Sequence, residues 1–355
     1  MLDAKLVQCI VSRAEAFTGK VLRVTVIENP VAGGFTRKRE AAQNRRWLAE
    51  ALERADALPV RTASCEVTVL QTKAAGHAQV LARDVINAAL ADDSPNALYL
   101  IVGAGGDGTS LEIQTELAHA YLEEGLVKIP DRICILRLPL GTGNDGSDGR
   151  TLDATLRLLT EKSRIARRRA VRVFPNGGGN KPWYAFNIAS VGIDAFITHM
   201  TNRVKKIFPG DFYKIWVDLA CLFYNRLYKV GELGVRAYLD GKEIINHRER
   251  MVLYVMGESG HRTYGSNQKI LPDDDNVCGV REMPLIKKLS MRPRFKNGTH
   301  RPFSEVLLYT ADRLVLDYAN PILVQLDGET HRLDAASFPL TMELTEPFIS
   351  VLSRT

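Results

Sequence analysis

Three glycine-bearing stretches and one pair of carboxylates stand out in this chain of 355 residues. At Gly105-Gly106-Asp107-Gly108-Thr109 the scarcity of side chain lets the backbone approach a ligand closely, and glycine permits the positive φ that exposes N–H groups. The stretch lies between an apolar run, Leu98 to Val102, and a helix-like run starting near Ser110. At such a junction the donors stand beside the positive end of a helix dipole, where phosphate is stabilised. Asp107 repels a bare phosphate, so it makes chemical sense through a bridging Mg²⁺. Taken alone, these five residues also fit a tight Asp-Gly turn with no ligand.

Asn29-Pro30-Val31-Ala32-Gly33-Gly34 and Pro139-Leu140-Gly141-Thr142-Gly143-Asn144-Asp145 each follow another strand-like run. Further along, Asp327-Gly328-Glu329 sets two carboxylates two residues apart. In an extended strand both point to one face, where a carboxylate can take the proton of an attacking hydroxyl. An exposed hairpin is the competing reading, since Asp-Gly is a common turn.

The elements that position these residues change character along the chain. Val21–Glu28, Cys65–Leu70, Leu98–Val102 and Ile133–Leu138 read as strands, separated by helices over Arg39–Ala57, Gly76–Leu90 and from the glycine loop to about Glu124. This alternation predicts a mostly parallel, doubly wound sheet, with the three loops at the carboxyl ends of its strands. After about Arg164 the runs shorten: Ala170–Phe174, Trp183–Ile188, Leu233–Leu239, Met251–Met256, Glu305–Tyr309, Arg313–Leu316 and Ile322–Leu326. They predict a mainly antiparallel β-sandwich as second domain. The expected division is an α/β nucleotide-binding domain over 1–164, to which a C-terminal strand within 341–355 returns, and a β-rich acceptor domain over 165–340. Asp211–Lys229 reads as an amphipathic helix and Gly177-Gly178-Gly179-Asn180 as a hairpin.

Composition narrows the setting. Hydrophobic content of 45% and charged content of 25% are ordinary for a globular protein. No run of about 18 apolar residues spans a membrane, and Met1 to Lys20 lacks a secretory h-region. Five scattered cysteines offer neither a zinc spacing nor a disulfide framework, which suits a reduced, cytoplasmic protein. The net charge of +6 concentrates at Arg164–Arg172 and Lys287–Lys296. Zinc-finger spacing and RNP-type aromatics are missing, so no nucleic-acid partner is expected, while an anionic membrane surface remains one for peripheral contact at the inner face.

Together, residues 28–34, 105–109 and 139–145 resemble the diacylglycerol kinase catalytic-domain family of lipid kinases, which includes sphingosine kinase. The family's Gly-Gly-Asp-Gly-Thr and Pro-x-Gly-Thr-x-Asn-Asp loops are matched at every specified position; its Asn-Pro-x-Ser-Gly loop has Ala32 for serine. Thr72 with Gly76-His77-Ala78, Asn187 with Gly192-Ile193-Asp194-Ala195, and Asp327-Gly328-Glu329 extend the resemblance over about residues 22–352. It implies ATP bound at Asn29, Gly33, Thr72, Gly105, Gly106, Asp107, Gly108, Thr109, Gly141 and Thr142. It also implies Mg²⁺ organised by Asp107, with Asp145 and Asp194 contributing, and Asp327 as general base with Glu329 beside it. The implied acceptor is a diacylglycerol-like or long-chain lipid alcohol entering between domains; a homodimer stays open.

The chain departs from the family at Ser266 and Asn267, where it has glycines, at Cys278, where it has aspartate, and at Gly146-Ser147-Asp148-Gly149, where an apolar residue is usual. The departure at Cys278 removes a carboxylate from a metal site, for which Asp273, Asp274 and Asp275 are the nearest substitutes. A NAD kinase-like phosphotransferase, and a non-catalytic nucleotide or lipid sensor, are the rival readings.

Overall fold

Val21–Glu28 buries every second residue and then its last three, the pattern of a strand sinking into a sheet covered on both faces. In the computed structural model, residues 2–141, 144, 148–176, 181–205, 224, 230–264 and 268–355 are described. The chain forms two compact units: residues up to Arg168 with Pro347–Thr355, and Arg169–Glu346.

The first unit runs α1 (Ala4–Val11), β1 (Val21–Glu28), α2 (Gly33–Thr36), α3 (Lys38–Asp56), β2 (Ser64–Gln71), α4 (His77–Ala91), β3 (Ala97–Gly105), α5 (Asp107–Ala118), α6 (Ile129–Arg132), β4 (Ile133–Pro139), α7 (Leu152–Thr160) and β5 (Ser163–Arg168). The C-terminal strand β19 (Ile349–Arg354) completes it. The sheet order is β2-β1-β3-β4-β19-β5, parallel except for the β19/β5 pair. Leu98, Leu100, Val102 and Ala104 on one face of β3 join a core with α1, α3 and α7. On the other face, a Cβ added to Gly103 lies 3.2 Å from Ile113 of α5. Helices therefore cover both faces, as the alternation predicts. The edge strand β5 carries Arg164, Arg167 and Arg168, and charge on an edge discourages pairing with another chain.

The second unit contains β6 (Val171–Phe174), β7 (Trp183–Ala185), β8 (Ile188–Gly192), α8 (Ile193–Lys205), β9 (Glu232–Leu239), β10 (Lys242–Gly257), β11 (Arg262–Tyr264), β12 (Gln268–Leu271) and β13 (Val277–Arg281). After these come α9 (Leu285–Asn297), β14 (Val306–Tyr309), β15 (Arg313–Asp317), β16 (Ile322–Leu326), β17 (Glu329–Leu333) and β18 (Leu340–Leu344). Its main ladder is β17-β16-β8-β10-β9-β15-β18-β6-β7, with β13 and β14 branching from β10. The ladder is antiparallel throughout its described pairs, so the expected antiparallel domain is realised as one 11-stranded sheet, with β11 and β12 pairing separately. β10 makes this continuity: residues 242–250 pair with β9, and 251–257 pair with β8 and β13.

Several local expectations shift. Residues 341–344 pair within the second unit, and only β19 returns to the first. The α5 helix begins at Asp107, not near Ser110. The Asp211–Lys229 helix and the Gly177–Asn180 hairpin lie outside the described residues, apart from the single residue Tyr224.

Candidate active site

The chain reverses its direction of sheet growth at β1, which pairs with β2 on one side and β3 on the other. Crevices at the carboxyl ends of strands, at such a switch point, are where open α/β sheets hold ligands. The register sets Glu28 level with Gln71 and Ala104, and Gly105 level with Pro139. Thr72 and the loops beginning at Asn29, Gly106 and Leu140 therefore emerge along one edge.

Backbone contacts lock those loops together. Asn29 donates its N–H to the Ala104 carbonyl at 2.9 Å, Gly34 to the Leu140 carbonyl at 2.8 Å, and Leu140 to the Gly105 carbonyl at 3.0 Å. Asn144, in the left-handed region at φ 61°, accepts the Gly141 N–H through Oδ1 at 2.8 Å and returns Nδ2 to the Gly141 carbonyl. Its own N–H reaches Asp107 Oδ2 at 2.9 Å. The Asn29 side chain spans to Thr109 Oγ1 at 3.4 Å.

The glycines act by removing bulk. Gly105, Gly106 and Gly108 are not among the residues with positive φ, contrary to the expectation from their type. A Cβ on Gly141 would lie 2.4 Å from Gly106 Cα, and one on Gly105 would lie 2.4 Å from Thr109 Oγ1. Gly34 lets the Leu140 backbone close in, at 3.0 Å from the same hypothetical atom. Gly33 is less constrained, since its nearest neighbours are the far ends of Arg37 and Glu40. Gly108 is different: it is exposed and a Cβ there meets nothing within 4 Å. It sits in the first turn of α5, whose N-cap, Gly106, supplies no side-chain cap. First-turn N–H groups without a side-chain cap suit an anion. The same cannot be said of α4, where Glu112 accepts the N–H groups of Gly76 and Ala78 at 2.8 and 3.0 Å.

The third loop is closed by residues that spacing alone did not single out. Arg137 on β4 holds Asp148 through Nη2 at 2.6 Å and its backbone N–H at 2.6 Å, and reaches Gln114 Oε1 at 2.8 Å. Asp148, one of the departures from the family pattern, is thus the buried staple of this loop. Thr142, Asp145, Gly146 and Ser147 lie outside the described residues, as do Ser266 and Asn267.

In the second unit, Asp327 and Gly328 have φ of 49° and 97° and join β16 to β17 as a two-residue hairpin turn. This corrects the extended reading: Asp327 and Glu329 do not share a strand face, because the turn separates them. The Asp327 carboxylate points back at the chain and accepts the N–H groups of Phe186, Asn187 and Ile188, the last at 2.9 Å. Glu329 is exposed. The turn rests on α8 and β16. Asn202 donates to the Gly328 carbonyl at 2.8 Å, His199 Nδ1 meets Thr330 Oγ1 at 3.2 Å, and Gln325 accepts the Gly328 N–H at 2.9 Å.

Gln325 also donates to Asp194 Oδ2 at 3.1 Å, which accepts Ser190 Oγ at 2.6 Å. Asp194 is fully buried and belongs to the second unit, whereas Asp107 belongs to the first. Its observed partners make it a support of the turn. Cys278 is a core position of β13, where burial pushes its thiol far above the usual range. Asp273 and Asp275 pair with Arg301, and Asp274 with His261. Among the described residues, no three His, Cys, Asp or Glu side chains are grouped to hold a metal. Mg²⁺ does not need such a cage, because it keeps waters and takes one or two carboxylates with substrate phosphates. Asp107, fixed on one oxygen by Asn144 at the carboxyl edge of the sheet, fits that role.

The fold comprises an α/β unit with a mostly parallel sheet and an antiparallel β unit. Residues 23–155 match the family model of the diacylglycerol kinase catalytic domain. The chain is 25% identical over 251 residues to a probable lipid kinase YegS-like of Stenotrophomonas maltophilia, covering 68% of this chain and 75% of the relative. It is 30% identical over 196 residues to the probable lipid kinase YegS-like of Xanthomonas axonopodis pv. citri, covering 53% of this chain and just over half, 57%, of that protein. Two Bacillus anthracis structures share the fold. A putative diacylglycerol kinase has a TM-score of 0.58 at 17% identity, covering 93% of this chain and 94% of its own. The crystal structure of a diacylglycerol kinase has 0.54 at 15%, covering 93% and 96%.

Proposed function

We propose that this chain is an ATP-dependent lipid kinase that phosphorylates a hydroxyl of a diacylglycerol-like or long-chain alcohol. The observation that carries the reading is the interlocked edge of Asn29, Gly105–Thr109, Gly141 and Asn144 at the β1/β3 switch point. The names borne by the similar lipid kinases support it. Phosphoryl transfer asks chiefly for positioning and charge neutralisation. The first turn of α5, with Gly108 opening to space, receives the triphosphate, and Asn29, Gly33 and Thr72 flank it. Mg²⁺ would neutralise phosphate charge when bound; Asp107 of the second loop would hold it, and Asp145 of the third loop is the further carboxylate the sequence offers.

In the reaction the acceptor oxygen bonds to the γ-phosphorus, the bond to the departing ADP oxygen breaks, and the hydroxyl proton passes to the Asp327 carboxylate. General bases of this kind contribute roughly 10²–10⁴-fold. The backbone donors of residues 186–188 hold that carboxylate in place. Those same bonds occupy most of its acceptor sites, and in a second assignment Asp327 only anchors the turn and the exposed Glu329 is the base. Glu329→Gln separates the two: a loss of at least ~10²-fold in kcat makes Glu329 the base, and turnover near that of the wild type leaves the role to Asp327.

No helix among the described residues is long and apolar enough to cross a membrane. The proposed enzyme acts from the cytoplasm on lipid in the membrane face. Labelled ATP offered with a panel of lipid alcohols and NAD tests the whole reading. Label in a lipid phosphate is expected. Label in NAD makes the chain a NAD kinase, and ATP binding without transfer to any acceptor makes it a sensor.

A further inference from the structure

We propose that the outward face of α9 docks on an anionic lipid bilayer. The helix packs on β12 and buries Lys288 and Met291, with Phe295 partly covered, a spacing that defines its inner stripe. The opposite face begins with aliphatic side chains: Leu285 is 41% exposed, Ile286 84% and Leu289 40%. Three large aliphatics within five residues form a patch, unlike the singly scattered apolar residues of an ordinary surface. The same face continues into exposed Pro293 and Lys296, with exposed Arg294 alongside.

Charge decides the occupant. No acidic residue occurs between Leu285 and Asn297. The neighbouring carboxylates Glu305 and Glu282 pair with Lys287 and Lys288, beside the aliphatic patch. The positive surplus therefore lies further along, at Arg294 and Lys296. A nucleic acid suits the cations but leaves the aliphatics against water, and a neutral apolar partner suits only the aliphatics. A bilayer with anionic headgroups takes both, in the manner of a helix lying in the interface. This inference does not depend on the phosphotransfer reading.

Co-sedimentation of the full chain with vesicles tests it, because vesicle binding requires no catalysis. With phosphatidylcholine vesicles containing about 30% phosphatidylglycerol, the wild type is expected to bind, and high salt to release it. Ile286→Asp is expected to weaken binding about tenfold or more. Arg294→Glu with Lys296→Glu is expected to weaken it by at least ~25-fold, about fivefold for each charge. Ile286→Asp alters an exposed side chain, and its melting temperature is expected to match the wild type. The charge reversals lie in the last turn of α9, with Arg294 over the Phe303 ring, and are expected to lower it slightly while the protein stays folded. Absence of wild-type binding, variants that sediment like the wild type, or binding to an oligonucleotide in place of vesicles overturns the proposal.

Discussion

Asn144 donates its backbone N–H to Asp107 Oδ2 at 2.9 Å while its side chain clasps both backbone groups of Gly141. One residue in the left-handed region thus ties the third loop to the carboxylate of the second. Asparagine tolerates that backbone conformation better than most residues. Asn144→Ala is therefore expected to destabilise the first unit by about 1–3 kcal/mol, through the lost side-chain bonds to Gly141, and to weaken ATP binding. Chemical denaturation and nucleotide titration read the two effects.

Gly108 and Gly141 should respond oppositely to an added methyl group. Gly141→Ala drives Cβ into the Gly106 backbone, so loss of stability is expected. Gly108→Ala meets only open space within a helix, and is expected to stabilise the free protein by about 0.5–1 kcal/mol. Weaker ATP binding by the stabilised Gly108→Ala protein would place nucleotide over that position; unchanged affinity would remove it from there.

Breaking the Arg137–Asp148 pair leaves the arginine poorly compensated, with side-chain exposures of only 14% and 3%. Asp148→Ala is expected to cost about 3 kcal/mol. A urea midpoint equal to that of the wild type contradicts this role.

Gln325 joins Asp194 to the turn carrying Asp327. Gln325→Leu is expected to destabilise by about 1–3 kcal/mol, because Asp194 and the Gly328 N–H each lose a buried partner. Unfolding measured by tryptophan fluorescence or calorimetry checks it.

Burial holds His199, His247, His300 and His331, all in the second unit, below the usual imidazole value of 6.5. Below that pH the unfolded chain binds more protons than the folded one, so stability falls as pH falls. The unfolding midpoint is expected to be level above about pH 7.5 and to decline from about pH 6.5 downward.

Strands with apolar runs were legible in the sequence: β1 and β16 occupy the expected residues because their side chains are sorted by burial. β5 was not, since an arginine-rich edge strand has no such run. α9 was hidden by its basic residues and internal Pro293. The glycine loops could be read because parallel strands must release their connections at one edge. The staple between Arg137 and Asp148 depends on the path of the loop, which spacing does not determine. At Asp327 the Asp-Gly pair obeyed hairpin chemistry, and only the fold reveals that its carboxylate turns onto residues 186–188.

Transfer of labelled phosphate from ATP to diacylglycerol in mixed micelles tests the central claim most directly, with Asp107→Ala and Asp327→Asn measured beside the wild type. The expected result is a phosphorylated lipid made by the wild type, with at least ~10²-fold lower turnover in both variants. Wild-type turnover in both variants, or no labelled lipid from a wild type shown to bind ATP, contradicts it.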